Sequence, residues 1–208
     1  MDRKIIINLG RQLGSGGRVI GQRVAHELGV DFYDKKLLQV ASKQSGISDE
    51  IFAKADERCR RKGLSTFVSY LRNPFAGGEA TANNVLSHES LFAIQSAAIQ
   101  DIAQRGSALF VGRCADYILR EEPCCINIFI TADNADRIAR IVENYNVSPS
   151  QAQRMIEQCD ESRADYYNFF TTRKWGSAQT YDLCVNSSKL GEDKTVELIV
   201  DFVRRAFS

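Results

Sequence analysis

Proline is scarce in this chain, with 3 residues in 208, histidine occurs twice and tryptophan once. So little proline excludes a collagen-like or proline-rich disordered chain. His26 and His88 stand far apart with no metal-ligand partner at useful spacing, which excludes a histidine-based metal centre or base. An excess of charge of one sign is also missing. Lys plus Arg at 27 against Asp plus Glu at 26 gives a net charge of +1, so no global field recruits nucleic acid or an anionic membrane. No apolar run approaches the roughly 18 residues of a membrane span, and Ile5–Ile7 behind Met1-Asp-Arg-Lys is too short for a signal peptide. Cys59, Cys114, Cys124, Cys125, Cys159 and Cys184 are irregularly spaced and form no C-x-x-C pair, which excludes a disulfide scaffold, a zinc knuckle or a redox couple. Unpaired thiols in a reducing cytosol, and hence a cytoplasmic protein, are expected.

What is present is an alternation of element types in a chain long enough for one domain with an insert or lid. Lys4–Leu9 reads as a strand ending at glycine. Val19, Ile20, Val24, Ala25 and Leu28 follow at largely helical spacing, and Val30–Tyr33 reads as a second strand. Ala108–Val111, Ile126–Ile130 and Tyr181–Val185 are strand-like. Ile138, Ile141, Val142 and Tyr145, and again Val196, Ile199, Val200 and Val203, repeat the i, i+3, i+4, i+7 pattern of amphipathic helices. Continuous apolar strands alternating with helices predict an α/β fold, a parallel sheet coated on both faces.

Two stretches interrupt that alternation. Residues 47–106 read as a helical insert, with Leu91, Ile94, Ala98 and Ile102 on one helix face; its basic run Lys54, Arg58, Arg60, Arg61 and Lys62 is broken by Asp56 and Glu57 and reads as a solvated face or subunit contact. Residues 148–176 mix Arg154, Arg163, Arg173 and Lys174 with Tyr166, Tyr167, Phe169, Phe170 and Trp175, a composition suited to a mobile lid over an anion. Residues 1–46, 107–147 and 177–208 then form the core.

The segment Gly10-Arg-Gln-Leu-Gly-Ser-Gly-Gly-Arg18 lies between the first strand and the first helix, where a parallel sheet delivers its chain to the ligand edge. Gly14, Gly16 and Gly17 permit close approach of backbone N–H groups to phosphate, and the following helix directs its positive end at the same place. A polyphosphate is expected at Gly14, Ser15, Gly16, Gly17, Arg18 and Val19.

Arg11–Arg18 after an isoleucine-rich strand, Leu28-Gly-Val-Asp-Phe-Tyr-Asp34, Val111-Gly-Arg-Cys-Ala-Asp-Tyr-Ile-Leu119, Asp136-Arg137, Asp160-Glu-Ser-Arg163-Ala-Asp-Tyr-Tyr167, Trp175 and Tyr181-Asp182 together resemble the cytidylate-kinase-like family of P-loop phosphotransferases. The resemblance spans nearly the whole chain and is weakest from about Ser48 to Glu89. It implies a nucleoside-monophosphate-kinase-like fold with a five-stranded parallel sheet, a helical acceptor-side insert and an arginine-bearing lid. It further implies ATP with Mg2+ as the donor system and a small phosphorylated acceptor such as CMP, with a homodimer as a possible assembly and no nucleic-acid or membrane partner.

Departures from that family's pattern matter as much. Gly17 stands where the P-loop lysine belongs, Val19 where the metal-holding hydroxyl belongs, and Arg11 where the first glycine belongs. Arg18 or Arg11 is then expected to restore the missing positive charge. Gly112-Arg113 resembles the family's Gly-Arg pair, at the end of what reads as the central strand, and would bind the acceptor's anionic group; Cys114 beside it reads as a buried structural thiol. Asp34 either takes an acceptor hydroxyl or a metal-bound water, or caps the helix that follows. Arg163 and Arg154 are expected to close on the transferred phosphate. Trp175, Tyr166 and Tyr167 read as packing the lid to the body, and Asp116 as a surface or helix-start residue. The alternatives to a nucleotide kinase are a nucleotide- or anion-binding regulatory module without transfer activity, and a kinase of another phosphorylated metabolite.

Overall fold

A computed structural model describes residues 4–34, 36–45 and 88–208. Most of the expected insert, with its basic run and Cys59, lies outside the described residues. The elements run β1 (Ile6–Arg11), α1 (Gly17–Leu28), β2 (Asp31–Tyr33), α2 (Lys36–Ser45), α3 (His88–Arg105), β3 (Ala108–Val111), α4 (Ala115–Ile118), β4 (Cys125–Thr131), α5 (Asn134–Tyr145), α6 (Pro149–Thr171), a 3-10 turn (Ala178–Thr180), β5 (Leu183–Asn186) and α7 (Ser187–Ala206).

The five strands form one sheet in the order β2-β3-β1-β4-β5, every neighbouring pair parallel. Thus β1, not β3, is the central strand, and Arg113 follows its neighbour. Sequence spacing is silent on this because strand order depends on crossovers between distant segments. Leu9 of β1 lies in register with both Val111 and Ile128. After β1 the chain crosses toward β2, and after β3 it crosses back past β1 to β4. The loops behind β1 and β3 therefore diverge and leave a crevice, the switch point at which open α/β sheets take ligands.

Side chains on successive strand residues point to opposite faces. Ile5, Ile7 and Leu9 pack on one face with Ile20 and Val24 of α1 and Val196, Ile199 and Val203 of α7. Ile6, Ala108 and Phe110 pack on the other with Leu37 and Ala41 of α2 and with Leu91, Ala98, Ile99 and Ile102 of α3, a helix that falls within the stretch read as insert. A third cluster joins α5 to α6 through Ile141, Ala152 and Ile156, and Leu13 from the loop after β1 packs against it. Helix α6 begins on a capping box in which Ser148 and Gln151 exchange side-chain-to-backbone hydrogen bonds, with Pro149 in the first turn, a start encoded locally in Ser-Pro-Ser-Gln. Among the described residues no helix is long and apolar enough to cross a membrane.

The depth at which α1 settles on β1 depends on Gly21. A Cβ there would lie 2.8 Å from Leu9 Cδ2, on a side chain only 1% exposed. Gly21→Val therefore overfills this contact and is expected to cost about 2 to 3 kcal/mol, read as a lowered urea midpoint; an unchanged midpoint would show that α1 can stand off the sheet without penalty.

Candidate active site

The loop after β1 prolongs the sheet before it turns. Gln12 N donates to Ile130 O at 3.1 Å, and the chain then reverses through Gly14 (φ 78°) and Gly16 (φ 74°), left-handed positions that favour glycine. Ile20 N is the first amide of α1 to bond back, to Gly16 O at 3.0 Å, so the amides of Gly17, Arg18 and Val19 precede the intrahelical ladder. Gly17 N has a long contact with Ser15 Oγ, 3.3 Å. Ser15 is fully buried; its hydroxyl donates to Gln12 O at 2.9 Å and its carbonyl accepts from Ser187 Oγ at 2.8 Å. Its amide also donates to Gln12 O at 3.4 Å, so Ser15 shapes the loop through side chain and backbone alike. Val19 is 48% exposed at the helix start and brings no hydroxyl.

The outside of the loop is gripped by residues to which the sequence assigns no role. Leu13 N donates to Asp160 Oδ1 at 2.8 Å, and Leu13 O accepts from Arg137 Nε at 2.7 Å. Arg137 and Asp160 also pair directly, and the Arg137 side chain is 8% exposed. One turn along α5, Arg140 donates to Gly14 O and lies 3.6 Å from Glu192 of α7. Arg137 and Arg140 stand at i and i+3, on one helix face, and Asp160 stands three residues before Arg163; that spacing was the available signal. It was obscured because arginines on an amphipathic helix ordinarily face water.

Inside the crevice the structure gathers Arg11, Arg113, Arg163 and Asp34. Arg163 Nη1 donates to Arg11 O at 3.2 Å and lies 3.5 Å from Asp160 Oδ1. Asp34, just beyond β2, accepts from Arg18 Nε at 2.7 Å, and its other oxygen lies 3.9 Å from Arg11 Nη2. Burial, then the cations of Arg163 and Arg113, push the Arg11 guanidinium down to about 9 against the pull of Asp34; at neutral pH it remains a cation. Gly112, Arg113 and Cys114 are successive left-handed residues, with φ of 73°, 60° and 57°. Two of them carry side chains, so the backbone is held here at a cost of about 1–2 kcal/mol per residue, a concentration of strain typical of functional sites. Cys114 is buried, and burial pushes its thiol up, as fits an inert structural thiol.

Of the predicted site residues, the loop, Arg18, Asp34, Arg113 and Arg163 come together. Arg154 does not join them here. It is exposed and donates to Ser150 O of its own helix at 3.3 Å; nine residues from Arg163 is about 900° of helix, or the opposite side. The stretch read as a mobile cover is clamped on the loop at Asp160. Its aromatic residues pack against the body: Phe170 stacks on Phe92 at 4.2 Å between ring centres and lies beside Tyr166, while Trp175 meets Phe129 edge-on at 5.2 Å. Tyr167 donates to Asp116 at 2.5 Å, and Asp116 is a buried residue, 7% exposed, rather than a surface one. The five described cysteines are unpaired.

Over residues 6–189 the sequence matches the profile of the cytidylate kinase-like family. The chain belongs to that family. This cytidylate kinase-like chain is similar, at 25% identity and a TM-score of 0.71, to an uncharacterized protein from Eubacterium ventriosum, over 97% of this chain and 99% of the other. It also resembles a shikimate kinase from Bacteroides thetaiotaomicron (11% identity, TM-score 0.54, 97% and 99% covered) and a gluconokinase from Sinorhizobium meliloti (12% identity, TM-score 0.53, 98% and 93% covered). No curated protein matches it. The fold is that of the P-loop kinases, as the sequence led us to expect.

Two consequences can be measured in this kinase-like chain. Asp160→Asn leaves Arg137 buried without its counter-charge and is expected to cost about 3 kcal/mol, with faster amide exchange at Leu13 and Gly14; slow exchange at both would show that the loop keeps its shape unaided. Asp116 is held above its ordinary range by burial, against the Tyr167 hydrogen bond and the Arg173 charge. The folded state therefore keeps this proton to higher pH than the unfolded chain, and its contribution to stability is present below the ordinary aspartate range and lost as pH rises through the folded value. Asp116→Asn keeps an acceptor for Tyr167 without the buried charge, so its Tm relative to wild type should rise from about pH 3.5 to pH 7; a difference independent of pH would contradict this.

Proposed function

We propose that this chain transfers the terminal phosphoryl group of ATP to a small phosphorylated acceptor, a nucleoside monophosphate such as CMP. The observation that carries the reading is the convergence of three arginines, from β1, from the turn behind β3 and from α6, on the crevice beside the loop that starts α1. The cations of Arg163 and Arg113 act on Arg11 against the nearby carboxylate of Asp34, and a polyanion relieves that repulsion.

In this reading the amides of Gly16, Gly17 and Arg18 and the positive end of α1 hold the donor's phosphates. Arg113 holds the acceptor's phosphate from the opposite wall, and Arg163, fixed by Asp160, stabilises charge that spreads over the equatorial oxygens in the transition state. A phosphate acceptor attacks through an oxygen that is already anionic, so no strong base is required; for a hydroxyl acceptor Asp34 stands at the right edge of the sheet. Magnesium fits as an ion carried mainly by the triphosphate, with Asp34 as a carboxylate placed in the crevice and Val19 offering no ligand. When bound it would neutralise charge on the donor's phosphates.

Gly17 and Val19 favour one second reading, a module that binds nucleotide or another anion and has lost transfer. A screen of ATP and Mg2+ against CMP, dCMP, UMP and AMP, scored for both binding and turnover, separates the two. Transfer to one of them is expected. Binding of ATP with no transfer to any of the four would favour the binding module, or an acceptor of another phosphorylated class. Arg113→Ala should raise the acceptor's KM by about one to two powers of ten, the loss of a charge-assisted bond worth roughly 1.5 to 3 kcal/mol, with ATP affinity much less affected; equal weakening of both would refute this division of labour.

A further inference from the structure

We infer that Arg11, reaching in from the end of β1, supplies the cation that bridges the donor's terminal phosphates, in place of the lysine that the loop lacks. The inference rests on the phosphoryl-transfer reading above and adds a catalytic residue to it. A Cβ built on Gly17 would lie 2.7 Å from Arg11 Cβ, 3.3 Å from Arg11 Cγ and 3.2 Å from Ser15 Oγ. The volume a side chain at 17 would enter is already filled by the stem of Arg11. At the other end of that side chain, a Cβ on Gly112 would lie 2.5 Å from Arg11 Nη1. Two glycines on opposite walls of the crevice thus clear the path of one arginine: Gly17 beside its stem and Gly112 beside its head.

Its guanidinium is placed for a ligand rather than for a structural pair. Arg11 Nη2 stands 3.9 Å from Asp34, beyond hydrogen-bond reach, and among the described residues its other charged neighbours, Arg163 and Arg113, are cations. Arg18, the alternative donor of charge, differs on both counts. Its side chain is 59% exposed, and its Nε is bound to Asp34 at 2.7 Å. Arg18 holds the carboxylate, and Arg11 is left to hold phosphate. The planar fork presents parallel N–H groups that can meet oxygens of two adjacent phosphates. In the transfer step the acceptor oxygen forms a bond to the terminal phosphorus as the bond from that phosphorus to the bridging oxygen breaks. The leaving diphosphate keeps the electron pair, and Arg11 keeps its proton and balances the developing charge.

The test compares wild type with Arg11→Ala, Arg11→Lys, Arg18→Ala, Gly17→Lys and the double variant Arg11→Gly with Gly17→Lys. Melting curves verify folding, calorimetry measures ATP, ADP and AMP binding, and turnover is followed with the acceptor found in the screen. Arg11→Ala is expected to lower kcat about 100-fold or more, to weaken ATP and ADP, and to leave AMP, which lacks the outer phosphates, bound as before. Arg11→Lys should retain part of the activity. Gly17→Lys alone should also lose activity because its side chain displaces the Arg11 stem, and the double variant should recover to within about tenfold of wild type once one stem occupies the space. Retention of turnover in Arg11→Ala, a gain in Gly17→Lys, or a larger loss in Arg18→Ala than in Arg11→Ala would overturn the inference. Should wild type bind ATP without transferring it, the kinase reading fails separately; the Arg11 placement then stands or falls on whether Arg11→Ala weakens ATP and ADP but not AMP.

Discussion

Asp160 ties the loop after β1 to α5 and α6. Its carboxylate accepts from Leu13 N of the loop, pairs with Arg137 of α5 and lies beside Arg163 of its own helix. Removing a carboxylate and a guanidinium from water is expensive, and a buried pair is sound only when further hydrogen bonds use the remaining lone pairs and protons. Here they do, since Arg137 also reaches Leu13 O. The loop is consequently held by both its N–H and its C=O at one residue, from outside, and its inner surface is left to a ligand. The apolar side chain of the same residue packs into the α5–α6 cluster. Loop shape in this chain is thus a property of the second helical layer as much as of the glycines.

That arrangement fixes where positive charge accumulates. Holding Arg163 against Asp160 brings its guanidinium to Arg11 O, and the sheet brings β3, with Arg113 behind it, alongside β1. The cost falls on Arg11, on which burial and the repulsion of Arg163 and Arg113 act together. A fold that concentrates like charge, and holds Arg113 and Cys114 at left-handed backbone angles in the same place, stores unfavourable energy that its core must offset. In the proposed function, phosphate oxygens remove the repulsive part on binding.

The α/β alternation is legible in local periodicity, and the kinase-like fold in the motifs of the family resemblance. Ala108–Val111 was read with its observed bounds, β4 and β5 to within two residues at either end, and the helix carrying Ile138, Ile141 and Val142 as an amphipathic element. Strand order was not legible, and the error about β3 follows from that. In the site, the residues that touch the loop from within its own segment or from a strand end were found, because topology alone brings strand ends to the ligand edge. Arg140 and Ser187 carry no motif, and Arg137 enters only through the Asp136-Arg137 resemblance, with no role attached. Each acts on a loop carbonyl from more than a hundred positions away, and nothing in a polar residue on an amphipathic helix tells that its outward face will be covered by another part of the chain. Asp116 does stand in the first turn of α4, as a helix-start reading expects, but it is buried and bonded to Tyr167 of α6, so the surface reading fails.

Gly17 shows the limit of reading a motif as a string. Position by position, a glycine where a lysine is expected is a loss. In three dimensions the constraint is one stem, one space and one positive charge at the mouth of the crevice, and the chain can meet it from the loop or from the end of the strand. A side chain at 17 requires a small residue at 11, and an arginine at 11 requires glycine at 17, because the same few ångströms cannot hold two stems. The two solutions exclude each other sterically, so a single exchange at either position leaves the space doubly filled or without a cation. Absence of the lysine therefore carries no information about activity until the space beside it has been accounted for.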